Sequence, residues 1–124
     1  MSLPKVNRLR NRNEFKAVYQ KGGRCSGKYL VLRFLTETSL GQGDSDLPPT
    51  QIGISISQKV SKKAVVRNRI KRQIRAIFRG LLPQLPPGWK IVVIVKSHAQ
   101  GCNYEDFLRE LRQLLIKSEV LYGD

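Results

Sequence analysis

VVRNRIKRQIRAIFR, Val65 to Arg79, is the stretch that decides how this chain is read. Wound as a helix at about 100° per residue, it sets Val66, Ile70, Ile74, Ile77 and the following Leu81 on one apolar stripe. Arg67, Lys71 and Arg75, spaced i, i+4 and i+8, line one border of that stripe. Asn68, Arg72 and Arg79 continue the polar surface, and Arg69 lies toward its far side. The segment therefore predicts a core-docked helix whose cationic face runs about 18 Å, at about 1.5 Å per residue. Solvated helix faces usually mix Glu with Lys to gain i,i+4 pairs. Here every charge is positive and like charges stand four apart, which slightly destabilises an isolated helix. A run of phosphates would offset that repulsion, since Arg forks grip phosphate oxygens in pairs and Lys supplies a point charge.

Outward from this helix, the remaining elements follow. Pro83, Pro86, Pro87 and Gly88 stop it, so it is expected over Lys62 to Leu82. Trp89 to Lys96 contains IVVIV, apolar throughout, and reads as a buried strand. Asn103 caps a last helix, with Asp106 three residues on in a capping-box spacing; Tyr104, Phe107, Leu111, Leu114 and Leu115 give it a core face. On the N-terminal side, QIGISIS (Gln51 to Ser57) alternates as a half-buried strand. Residues 39–50, rich in Gly, Asp and Pro, read as a flexible loop. Arg24 to Glu37 is strand-like, with a kink near Ser26 and Gly27 that divides it. Asn13 to Lys21 reads as a short helix, with Asn11 or Asn13 as N-cap and Gly22-Gly23 as its end. Residues 1–12 form a basic, irregular arm. The expected architecture is α+β: one domain over residues 1–124, a two-layer sandwich with three helices on one face of a mixed sheet of about four strands.

Charge narrows the partner. The chain has 124 residues, with 23 Lys and Arg against 9 Asp and Glu, for a formal net charge of +14. No acidic residue occurs between Asp46 and Glu105, an interval holding 11 Lys or Arg. Such an excess repels itself unless a polyanion neutralises it. A membrane surface fits poorly, because the basic helix lacks bulky aromatics at a lipid-facing edge and no apolar run approaches the roughly 18 residues of a span. Nucleic acid fits better. The N-terminus shows no secretory h-region or cleavage pattern. Cys25 and Cys102 match no zinc spacing and are expected as two buried thiols of a cytoplasmic protein.

No self-contained catalytic constellation stands out. H-E-x-x-H, G-x-S-x-G and P-loop motifs are missing from the sequence. His98 is the only histidine and is expected in a surface or capping role. Asp44 and Asp46 have no third ligand nearby and are read as solvated. Phe15 and Tyr19 share a helix face one turn apart. They either pack on the sheet with Val18 or form an exposed stacking platform for unpaired bases, beside Leu30, Leu32 and Ser55.

Gly53 to Ser57, followed by Lys59, Ala64, Val65 and Arg67-Asn68-Arg69-Ile70-Lys71-Arg72, resembles the signature of the bacterial ribonuclease P protein subunit, whose hallmark is an RNR motif on a long helix. Arg8 to Tyr19 resembles the N-terminal segment of the same family, and the C-terminal strand and helix also fit. Two departures stand out. Gln58 replaces a usual Lys, and the turn Val60-Ser61-Lys62-Lys63 is one residue longer than the common form and lacks its Gly, leaving Ser61 as the expected N-cap.

The resemblance implies a left-handed βαβ crossover through the RNR helix, against the usual hand. It implies a subunit that binds ribonuclease P RNA and the 5′ leader of precursor transfer RNA. The endonucleolytic chemistry and its Mg2+ would belong to the RNA, with no metal held by the protein alone and no obligate protein partner. Lys59, Lys62, Lys63, Arg67, Asn68, Arg69, Lys71, Arg72 and Arg75 would meet RNA. Phe15, Tyr19, Leu30, Leu32 and Ser55 would line a leader cleft, bordered by Arg67, Lys71 and Arg75. The competing expectation is a structural RNA binder such as a ribosomal component. A free-standing nuclease is disfavoured by the missing catalytic cluster.

Overall fold

A computed structural model describes residues 3–36 and 48–120. The elements are α1 (Arg12–Lys21), β1 (Gly23–Ser26), β2 (Leu30–Thr36), β3 (Gln51–Ser55), α2 (Ala64–Leu81), β4 (Trp89–Val95) and α3 (Tyr104–Lys117). The sheet order is β1-β2-β4-β3. β1 and β4 run antiparallel to β2, while β3 is parallel to β4. Parallel neighbours need a long crossover, and α2 supplies it.

Strand alternation sorts the side chains onto two faces. Leu30 pairs with Val95, Leu32 with Val93 and Phe34 with Ile91. All six point to one face and pack with Ile70, Ile74, Ile77, Phe78 and Leu81 of α2 and with Phe107, Leu111 and Leu115 of α3. The other face carries Val92, which packs with Leu9 and with Val18 of α1; Phe15, Leu35 and Ile94 flank them. The mixed sheet and three helices match the sequence reading, but the helices do not share one face: α1 lies across the sheet from α2 and α3. β2 and β4 are apolar on both sides, so each side can accept a helix.

Local signals explain most boundaries. The Asn11 side chain caps α1, accepting from the Asn13 amide at 2.8 Å. Asn103 and Asp106 form the expected capping box, at 2.9 and 3.0 Å. Tyr104, expected in the core, is exposed at the first turn of α3. Ser61 is not the N-cap of α2. That position belongs to Lys63, which makes no side-chain cap bond, and the Ser61 hydroxyl accepts from the Lys63 amide at 3.2 Å. β3 ends at Ser55 and α2 starts at Ala64, so the basic turn between them is longer than read from sequence.

Two segments are better anchored than their composition suggests. Leu3 and Leu9 of the N-terminal arm are buried. Arg8 bridges to Ile52, the Leu9 amide donates to the Ile52 carbonyl at 3.0 Å, and Asn7 Nδ2 donates to the Thr50 carbonyl at 2.8 Å. The arm thus runs along the outer edge of β3. Residues 39–47 of the expected flexible loop lie outside the described residues. Its last residues are held: the Gly88 amide donates to the Pro48 carbonyl at 2.8 Å, and Thr50 Oγ1 to the Pro86 carbonyl at 2.5 Å.

The β1–β2 turn is also pinned. Glu110 of α3 is buried, and its carboxylate accepts from the amides of Lys28, Tyr29 and Leu30 at 2.9, 2.8 and 2.6 Å. Lys96 Nζ donates to the Gly27 carbonyl at 2.5 Å, and His98 Nε2 donates to the Lys28 carbonyl at 2.6 Å. His98 therefore has the capping role expected of it. Cys25 and Cys102 are buried free thiols. Burial, reinforced by Asp106 and Glu110, pushes the Cys102 thiol up.

Candidate nucleic-acid interface

The amphipathic pattern of α2 dictates where its cations go. With Ile70, Ile74, Ile77, Phe78 and Leu81 buried, Asn68, Arg69, Arg72 and Arg79 stand exposed, while Arg67, Lys71 and Arg75 are half-buried at the border. No ion pair engages these cations among the described residues. Lys59, Lys62 and Lys63 are exposed on the turn before the helix, beside exposed Gln58. Val60 and Ser61 are buried beneath them. Arg67 reaches back to this turn and donates from Nη1 to the Ser61 carbonyl at 2.7 Å. Its guanidinium thus holds the lysine-bearing turn against the helix and keeps further N–H donors in reserve.

A second feature lies on the α1 side of the sheet. Phe15 is half-buried and Tyr19 is 37% exposed, with ring centroids 6.5 Å apart and planes tilted by 51°. Phe15 lies directly over Gly53, where a Cβ would collide with the ring, so only glycine lets the aromatic sit this low. Arg33 of β2 sits 5.5 Å from the Tyr19 ring centroid and donates to the Tyr19 carbonyl. Its Nε is buried with no partner. Around the edge of β3, a cleft of about 160 Å³ is lined by Arg8, Arg10, Phe15, Gly53 and Ile54, with Arg75 entering from α2. The Phe15 ring and guanidinium groups thus share one concave surface, with Tyr19 beside Phe15.

The sequence-predicted residues divide accordingly. Phe15 and Tyr19 come together on the α1 face, and Ser55, half-buried, shares the face of Gly53 two residues earlier on β3. Leu30 and Leu32 do not join them. Both are fully buried on the opposite face, packed into the core under α2 and α3, so neither can line a cleft on the α1 side. The residues of β2 on that side are Val31, Arg33 and Leu35. Arg33 and Gly53 were missed from sequence, although an arginine inside KYLVLRFL and a glycine inside QIGISIS were the available signals.

A divalent cation needs several oxygen ligands. Asp106 is committed to the cap of α3 and Glu110 to three backbone amides. No group of three His, Cys, Asp or Glu that could hold a metal occurs among the described residues. These side chains therefore do not fit a resident magnesium ion. No helix among the described residues is long and apolar enough to cross a membrane.

Comparison with known proteins gives a consistent answer. The family model described as Ribonuclease P matches residues 3–119. The ribonuclease P protein component of Rippkaea orientalis is 56% identical over 123 residues, covering 99% of this chain and 94% of that protein. That of Microcystis aeruginosa is 52% identical, covering 99% of each. Among solved structures, a Staphylococcus aureus RNase P protein mutant with defective mRNA degradation activity superposes with a TM-score of 0.81 at 25% identity, over 94% of this chain and 92% of that one. The Thermotoga maritima RNase P protein, in complex with a fluorophenyl thiourea, gives 0.74 at 28% identity, over 87% and 96%. From its first buried leucine to the turn after α3, the chain belongs to the ribonuclease P protein family.

Proposed function

We propose that this chain is the protein subunit of ribonuclease P and that it works by holding RNA on two faces. It binds the ribonuclease P RNA and assists removal of the 5′ leader from precursor transfer RNA. α2 and its preceding turn engage phosphates of the RNA subunit through Lys59, Lys62, Lys63, Asn68, Arg69 and Arg72. Phe15 and Tyr19 stack on bases of the single-stranded leader, with Ser55 on the sheet beside them. Arg67, Lys71 and Arg75 line the border between the two sites. Hydrolysis takes place in the RNA subunit, and magnesium is held by RNA phosphates. This chain's share is to orient the leader and to lower repulsion between the two RNAs.

The observation that carries this reading is the cleft around Phe15, Gly53 and Arg75, which joins an aromatic platform to an uncompensated cationic helix. A structural RNA binder needs the helix but has no use for a single-strand platform. The test is cleavage of precursor transfer RNA by a bacterial ribonuclease P RNA at low magnesium, with and without the protein. Restored cutting at the mature 5′ end is expected. Tight binding with no gain in cleavage, using a matched RNA subunit, would point to the structural binder instead. Cleavage by the protein with no RNA subunit would overturn the division of labour.

A further inference from the structure

The two arginines of the RNR motif face opposite ways. They are two residues apart, or about 200° around the helix. Arg67 turns toward the basic turn and lies on the same flank as Arg75, which enters the β3 cleft. Arg69 is therefore on the other flank, the one along which α2 packs beside α3.

α3 is oriented just as firmly. Glu110 faces the β1–β2 turn, and Asp106, Arg109 and Gln113 border a cleft of about 250 Å³ there with Lys28 and Tyr29. The flank of α3 turned to α2 then carries half-buried Leu108 and exposed Arg112. The outer surface of the helical layer reads across as Arg72, Arg69, Arg112, Arg109 and Lys28, all exposed. Two nearby acids are spent inward, Asp106 on the helix cap and Glu110 on three amides, so exposed Glu105, one turn before Arg109, is the one acid of α3 left to set against these five cations.

We propose that this outer surface of α2 and α3, with Arg109 and Arg112 at its centre, is a second RNA-contact surface that takes the backbone of a double-helical RNA segment. This rests on the RNA-binding reading above and adds α3 to it. The occupant is a duplex for two reasons. The surface presents exposed arginines from two adjacent helices, Arg69 and Arg72 on α2 and Arg109 and Arg112 on α3, suited to phosphates on both sides of the wide, shallow minor groove of A-form RNA. The stacking pair Phe15 and Tyr19, which a single strand would seek, is on the far side of the sheet.

The experiment compares two probes on the full chain: an RNA hairpin with a stem of about 20 base pairs, and a short single-stranded leader oligonucleotide. The stem exceeds the roughly 16 base pairs that a compact duplex-binding domain spans. Arg109→Ala/Arg112→Ala, with Arg109→Gln/Arg112→Gln as a second pair, should weaken hairpin binding about tenfold and flatten its salt dependence by one to two counterions. Leader binding should hold within about twofold, and Tyr19→Ala should show the reverse pattern. Unchanged hairpin affinity in a wild type that binds it, or equal losses on both probes, would overturn the second surface while leaving the proposed function standing. A wild type that binds neither probe would overturn both.

Discussion

Glu110→Ala should be among the most destabilising changes of a polar residue in α3, and the structure says roughly by how much. The carboxylate accepts three backbone amides within 2.9 Å, and the residue is 9% exposed. Hydrogen bonds to a charged acceptor contribute about 1.5–3 kcal/mol each, but three amides sharing one acceptor do not add fully. Water entering the adjoining cleft can also re-solvate the Lys28 and Tyr29 amides. Leu30 is fully buried and makes the shortest of the three bonds, so its amide is the hardest to re-solvate. The expected loss is about 3–5 kcal/mol, a large part of the 5–15 kcal/mol typical of a folded domain. Urea denaturation should show it directly as a lower midpoint at unchanged slope. Glu110→Gln, which keeps the shape but presents one carbonyl and an amide donor, should lose about half as much. If Glu110→Ala costs less than about 1 kcal/mol, the turn is not held by this carboxylate and the reasoning fails.

Other expectations separate binding from folding. Tyr19→Ala should weaken binding of precursor transfer RNA about 5- to 150-fold, the loss of one stacked base, and leave mature transfer RNA binding nearly unchanged; equal losses on both would remove the stacking role. Arg67→Ala and Arg69→Ala should both weaken RNA binding, but only Arg67→Ala should also lower stability, by about 1–2 kcal/mol, because only Arg67 bonds the Ser61 carbonyl. Matching thermal melts for the two variants would contradict the clamp. Cys102 should react with a thiol reagent far more slowly in the folded protein than in urea at pH 8, because burial and the nearby Asp106 and Glu110 raise its pKa and deplete the thiolate. Stability carried by that shift is present below the thiol's unfolded pKa and is lost as pH climbs through the folded one.

The helical pattern of residues 65–81 was legible because burial at i, i+3, i+4 and i+7 leaves little choice of face. Asn103 with Asp106 was legible because a capping box is local chemistry. The faces of β2 were not. LVLRFL is largely apolar at both parities, and Arg33 marks the Val31 and Leu35 side as the more polar one without saying which helix covers it. Partner strands decide that, and the β2–β4 register is a long-range fact. The same ambiguity hid the placement of α1, whose single fully buried residue, Val18, could have met either face. Glu110 was invisible for a related reason. Its three partners lie about 80 residues away, and a glutamate at the edge of the Phe107, Leu111 and Leu114 stripe carries no sign of which amides it meets. Tyr104 departs from the core pattern: at the first helical position it is exposed, while Phe107, three residues on, is fully buried.

The N-terminal arm bears on how the protein behaves when it is alone at high concentration. A bare β3 would offer a row of unsatisfied amides and carbonyls to any extended segment it met, including one from another copy. Arg8 and Leu9 occupy that row at Ile52, and buried Leu3 anchors the arm. The same residues line the cleft that holds Phe15. A protease nick within residues 3–9 would therefore do two things at once. It would loosen one wall of the proposed leader cleft, and it would open the edge of β3 to other extended segments, so weaker leader binding and onset of aggregation should appear together.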